Sequence, residues 1–195
     1  GWSHGPLFCR ADRTLMLGLI DAHWHAMMAS LPMAALLSSS EGYLNLKAAE
    51  EAERTLMRGF TTVRDLAGPT FALKRAIDEG GFAGPRIWAS GAMISQTSGH
   101  GDYRQPFELP VGNLTPPPRT DTLGATAAGG GVSSNYDPLD VSQFTEAEFR
   151  AAVDAAENWG TYVTVHAYTP RAIQTAIRGG VRCIDHGQLM DEATA

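Results

Sequence analysis

Two histidines stand two residues apart at the end of an apolar run, in residues 18–25, GLIDAHWH. Side chains at i and i+2 of a strand point to the same face. His23 and His25 can therefore reach one ion together, while Trp24 between them points away. Neutral imidazole suits zinc and similar borderline cations. Two more histidines end β-compatible runs: His166 after YVTV and His186 after VRCID. Such a set suits metal-assisted hydrolysis. The last two differ. His100 stands between glycines in SGHGDYR, on a loop that can fold over a site or remain at the surface. His4 lies in an irregular tail and reads as solvated.

These histidines need strands to carry them. Five strands are predicted, near residues 19–25, 60–65, 85–90, 161–166 and 182–186, among them the β-branched run FTTVR. Helical patterns lie between them. Residues 27–40 read as a short helix and a loop. Residues 44–58 form an amphipathic helix stopped by Gly59, and 71–79 a helix stopped by Gly80 and Gly81. Thr145 and Glu148 make a capping box for a helix running to Asn158. Residues 170–178 open with Pro170 and close at Gly179 and Gly180. The final DEATA reads as the start of a helix. Strands alternating with helices imply parallel βαβ units. In parallel barrels the active-site groups sit at the C-terminal ends of strands, and three of the five predicted strands end in histidine. Residues 91–140 break the pattern. They hold Pro116-Pro117-Pro118 and Gly129-Gly130-Gly131 and show no convincing strand or long helix, which conflicts with a compact domain. The glycine run neither follows a predicted strand nor opens a helix, so it lacks the context of a phosphate loop.

Composition narrows the function classes. The chain has 195 residues and a formal net charge of −6. That length supports one sizeable core, but a complete (β/α)8 barrel usually takes about 250 residues. The acidic balance argues against a nucleic-acid partner, which needs a basic face. No apolar run approaches the roughly 20 residues of a membrane span. Residues 1–13 lack an apolar core behind a basic start, so no signal peptide is expected. The two cysteines, Cys9 and Cys183, are far apart and form no CxxC pair. A disulfide framework is not expected, and a cytoplasmic location is.

GLIDAHWH resembles the first-strand motif of the amidohydrolase superfamily. GFTTVRDLAG, GPRIWASGAMIS, SGHGDYR, GGVSSNYDPLD, VTVHAYTPRAI and GGVRCIDHGQLMDE resemble blocks of its imidazolonepropionase-like branch. That branch includes metal-dependent Xaa-Pro dipeptidases (prolidase-like) and related carboxypeptidases. The resemblance covers most of residues 14–195. It implies an α/β fold, a TIM barrel of the amidohydrolase type, here incomplete with five or six strands represented. Residues 1–14 are expected to be a remnant of an N-terminal flanking segment, and 15–195 the partial barrel. It also implies a site for one or two Zn2+ ions. His23 and His25 would bind the more buried ion, and His166 and His186 the second. His100, Tyr168 and Arg171 would contact the substrate, a dipeptide such as Xaa-Pro or another small amide. The implied reaction is cleavage of an amide C–N bond by metal-activated water.

The sequence departs from that pattern in three places. The family bridges its metals with a carboxylated lysine at the end of the fourth strand. Here the lysines are Lys47 and Lys74, both on predicted helices. A helix and a strand are expected to be lost between Gly124 and Gly131. The family also places an Asp at the end of the eighth strand, and neither Asp185 nor Asp191 stands there. Finally, residues 1–14 are too short for the usual flanking β-sandwich, and Leu17 stands where Pro is usual. Three arrangements account for the gaps: a longer chain, a shortened family member, or a barrel completed by homo-oligomerisation. Two functions follow. One is a metal-dependent hydrolase. The other is a catalytically inactive family member that binds a metal or ligand only.

Overall fold

The computed structural model describes residues 15–91, 93–96, 99–102, 126–127 and 138–195. Its elements run β1 (Leu19–Trp24), α1 (Ala26–Ala29), α2 (Met33–Ser38), α3 (Glu41–Met57), β2 (Phe60–Asp65), α4 (Phe71–Asp78), β3 (Arg86–Ala89), β4 (Thr126–Ala127), α5 (Glu146–Asn158), β5 (Thr164–Ala167), α6 (Pro170–Arg178) and β6 (Cys183–His186). They form two parallel three-stranded sheets, β1-β2-β3 and β4-β5-β6. This is an α/β arrangement of the TIM-barrel type. No helix among the described residues is long and apolar enough to cross a membrane.

Each sheet packs its own helices. Trp24, Val63 and Ile87 point from the first sheet onto Ala48, Ala49 and Ala52 of α3 and Leu73 of α4. Alanines on α3 let the helix lie close to the strands. Ser40 caps α3 by accepting from the Tyr43 N–H at 3.4 Å. Gly59, with φ +98°, takes the left-handed turn after the helix and leads directly into β2. In the second sheet, Val165 and Ala167 pack against Phe149 and Val153 of α5 and Ile173 of α6. The expected capping box is present: Thr145 accepts from the Glu148 N–H, and the Glu148 carboxylate accepts from the Thr145 N–H at 2.7 Å.

Several expectations need correction. Residues 27–40 hold two short helices, not one helix and a loop, because Pro32 stops one and starts the other. α3 begins at Glu41, three residues earlier than the apolar pattern, since Ser40 supplies the cap. A strand, β4, stands between Gly124 and Gly131 where one was expected to be missing, and it pairs with β5 in parallel. Its two residues are too few for a periodic signal. The final DEATA is a hydrogen-bonded turn rather than a helix: Asp191 accepts from the Thr194 N–H through both its carbonyl and its side chain. Residues 1–14 and Gly129-Gly130-Gly131 lie outside the described residues.

Asp65 ties the first sheet together at the strand ends. It is fully buried. Its Oδ2 accepts from the Ala26 N–H at 2.7 Å and its Oδ1 from the Thr70 hydroxyl at 2.9 Å. Its carbonyl accepts from the Ser90 N–H after β3. Burial raises this carboxyl from its ordinary 3.8 to about 7, against hydrogen bonds that favour the charged form. The folded protein therefore holds the proton more tightly than the unfolded chain. That stabilisation is complete below about pH 4 and is lost as pH rises through about 7. Asp65→Asn keeps an acceptor for Ala26 and lets the Thr70 hydroxyl rotate to accept. The stability advantage of wild type over Asp65→Asn should thus shrink by on the order of 4 kcal/mol from about pH 4 to pH 8. Urea denaturation of both proteins measures it, and parallel pH profiles would contradict the assignment. In the second sheet, Phe149→Ala should cost about 3–5 kcal/mol and Thr145→Ala about 1 kcal/mol in the same assay.

Candidate metal centre

β1 carries an irregularity that aims its histidines. Asp21 pairs with Val63 and Trp24 with Asp65, so three steps along β1 match two along β2. That is a bulge, which turns side chains relative to simple alternation. The Asp21 side chain supports it, its Oδ1 accepting from the His23 N–H at 3.0 Å. Trp24 goes into the helix layer, as expected. His23 and His25 go to the opposite side, with their Nε2 atoms 3.1 Å apart.

The second sheet brings its own pair to the same place. Thr164 pairs with Cys183 and His166 with Asp185; Val165 pairs with Ile184 and Ala167 with His186. Paired residues share a face. Val165 and Ala167 face the helices, so alternation alone would send His186 there too. His186 instead has φ +80°, a left-handed backbone that is uncommon outside glycine and is found at functional positions. This turns its ring back beside His166, at 4.7 Å between centroids. His166 and His186 are thus not at equivalent strand positions, as the endings of the two runs implied.

The four rings converge. His23 lies 4.5 Å from His166 and 4.6 Å from His186, centroid to centroid. One nitrogen from each of these three falls within 4.8 Å of the others. His25 joins through its Nε2 contact with His23. His100 is the fifth imidazole, 5.0 Å from His166, so this histidine reaches the cluster. Tyr168 stacks on His186 at 5.0 Å, with the rings nearly parallel at 5°. Arg171 is exposed on the first turn of α6, and no contact among the described residues ties it to the imidazoles. His4 lies outside the described residues.

The electrostatics suit a cation. Burial lowers His166 to about 2, helped by the neighbouring His23, His100, His186 and His25. Burial lowers His25 to about 4, with His23 adding to it. His186 is lowered for the same two reasons. Crowded, desolvated rings resist protonation because each added charge would face the others. His25, His166 and His186 are thus neutral near pH 7 and keep lone pairs free. The Nδ1 atoms of His23, His25 and His166 are buried and have no hydrogen-bond partner in the structure. Buried polar atoms without partners are costly. The meeting of one ring nitrogen from each of His23, His166 and His186 within 4.8 Å, beside buried ring nitrogens that lack partners, fits a divalent cation of the zinc type.

Three residues at this site have no metal-ligand signature in the sequence. Asp185 is buried beside His23, its Oδ1 3.6 Å from Nδ1. Arg64 of β2 donates to the same Oδ1 at 2.7 Å. The Thr164 hydroxyl donates to Oδ2. Burial alone would raise the Asp185 carboxyl, but its contacts with His23, Thr164 and Arg64 hold it below the ordinary value. One clue was available: Arg64 interrupts the strand-forming run FTTVR, and a charge in a buried strand needs a partner. Lys47 and Lys74 are on helices as expected, in surface ion pairs with Glu50 and Asp78.

Known proteins share this chain's fold and part of its sequence. A solved prolidase, complexed with N-methylphosphonate-L-proline, superposes with a TM-score of 0.82 and is 35% identical, covering 92% of this chain and 50% of that one. A Xaa-Pro dipeptidase with methionine bound in its active site superposes at 0.74 with 29% identity, covering 91% and 50%. Ochratoxinase of Aspergillus niger is 30% identical, covering 70% of this chain and 35% of the relative. The chain spans about half the length of these solved relatives and about a third of ochratoxinase. A profile of the amidohydrolase family matches residues 14–195. The strand-end histidines and the parallel sheets that hold them are accordingly those of a family member, and the chain belongs to the amidohydrolase family.

Proposed function

We propose that this chain carries the metal-binding part of a hydrolase that cleaves an amide C–N bond in a small substrate, a dipeptide such as Xaa-Pro. The observation that carries the reading is the meeting of His23, His166 and His186 within 4.8 Å, with His25 beside them. The likeness to a prolidase and a Xaa-Pro dipeptidase supports the substrate class. In this reading the eight-stranded barrel of the family is the frame, and the two sheets described above supply six of its strands.

His23, His166 and His186 would hold a divalent cation, with His25 as a further ligand. A zinc-type ion supplies Lewis-acid polarisation of a carbonyl and acidification of water. The chain's own residues prepare for that. His25, His166 and His186, whose burial and crowding resist protonation, would not have to release protons first. His100 and Tyr168 flank the cluster and would contact the substrate and limit its pose. Arg171, at the rim, is free to swing toward a substrate carboxylate.

A second reading is a member that binds metal without turnover. It is favoured by the engagement of Lys47 and Lys74 in ion pairs on α3 and α4. Neither can serve as a bridging, carboxylated lysine at the cluster.

Elemental analysis of the purified protein, paired with a hydrolysis screen that includes Xaa-Pro dipeptides, separates the two. The leading reading expects stoichiometric zinc and turnover that a chelator abolishes. Zinc without turnover supports the second, and absence of any bound or bindable metal removes both. Replacing a ligand should act more strongly than losing an outer partner. His23→Ala and His166→Ala should each weaken zinc binding by more than about 100-fold, measured by competition with a chromophoric chelator.

A further inference from the structure

His23 has two ring nitrogens in different surroundings. Nε2 faces His25. Nδ1 is buried, lacks a hydrogen-bond partner, and has Asp185 Oδ1 at 3.6 Å. That distance is just beyond a hydrogen bond, and a small ring movement closes it. Asp185 itself is held from two further directions. Arg64 Nη2 donates to Oδ1 at 2.7 Å, and the fully buried Thr164 donates to Oδ2. Arg64 is anchored in turn. Its Nε donates to the Ala22 carbonyl at 2.6 Å, one residue before His23, and its Nη1 to the Tyr162 hydroxyl at 3.1 Å. The guanidinium therefore grips the strand that carries His23 and the carboxylate that faces it.

We propose that Asp185, held by Arg64 and Thr164, is a positioning residue for His23: its carboxylate keeps the ring proton on Nδ1 and leaves the Nε2 lone pair turned into the imidazole cluster. This rests on the reading of the cluster as a metal site. Outer carboxylates of this kind fix the tautomer and orientation of a ligating imidazole and raise its basicity. Tautomer choice matters here because both Nε2 atoms of the HxH pair point at one another. Two neutral acceptors 3.1 Å apart serve a shared cation, whereas a proton on either one would block it.

The competing explanation is that Asp185 and Arg64 only tie the two sheets together. Two variants distinguish these roles. Asp185→Asn keeps the shape and removes the charge. The double variant Arg64→Met/Asp185→Leu replaces the whole pair with apolar groups of similar size, an exchange that often leaves stability unchanged or improves it. A purely structural pair predicts normal metal binding in the folded double variant. Positioning predicts weaker zinc binding in both, by about 10- to 100-fold. It also predicts that 15N spectra of the metal-free wild type show His23 protonated at Nδ1, with population moving to Nε2 in the variants. If the double variant fails to fold, Asp185→Asn decides alone. Zinc affinity within about threefold of wild type, against the 10- to 100-fold typical of such partners, together with an unchanged tautomer, overturns the proposal. Wild type that binds no zinc overturns the metal reading instead, and the tautomer then decides whether Asp185 positions His23.

Discussion

Arg64 leaves β2, crosses the space between the two sheets and meets Asp185 of β6 at 2.7 Å. Around that contact the C-terminal ends of β1, β5 and β6 come close enough for their histidines to touch. Each sheet has its own apolar core against its own helices. The described groups that join one sheet to the other at this place are polar. The site lies along this seam, and the relative placement of the two sheets sets the distances among the imidazoles. A partly buried ion pair is a weak source of stability, because desolvation offsets much of its attraction. Its value here is geometric. A guanidinium with several fixed donors holds β1, β5's neighbour Tyr162 and β6 in one arrangement.

Burial then acts differently on the groups gathered there. It keeps His25 and His166 neutral, since each would suffer both desolvation and repulsion on protonation. It raises Asp65, which faces the helix layer among apolar groups. Asp185 experiences the same penalty yet stays low, because Arg64, Thr164 and His23 favour its charge. Two buried aspartates at the ends of strands thus have opposite tendencies. One pins the backbone just after His25 through Ala26; the other faces the ring of His23. Both act on the HxH pair without touching a ligand position of their own.

Much of the frame was legible in the sequence. The alternation of β-branched runs with capped helical patterns predicted βαβ units, and the Thr145–Glu148 box and the Gly59 stop lie where the pattern put them. The HxH spacing predicted a shared face, and the structure has it. The two-residue β4 was not legible, since so short a strand carries no period. Pro32 divided a run whose apolar residues looked continuous. Asp185 does not stand at the last-strand position of the family aspartate, and nothing in its own strand foretells its neighbours, which come from β1, β2 and β5.

By itself the sequence determined the local matters: which segments pair or coil, which residues can ligate a borderline metal, and that His23 and His25 share a face. These depend on side-chain type and on periods of a few residues, which the chain order contains. Tertiary structure decided the rest. It set which imidazoles meet, because His23 and His166 are far apart in the chain and approach only when two sheets pack. It turned His186 into the site through a left-handed backbone that strand alternation does not foresee. It gave Arg64 and Asp185 their meaning, since a charge inside a strand acquires a role only from the partner that another strand brings to it.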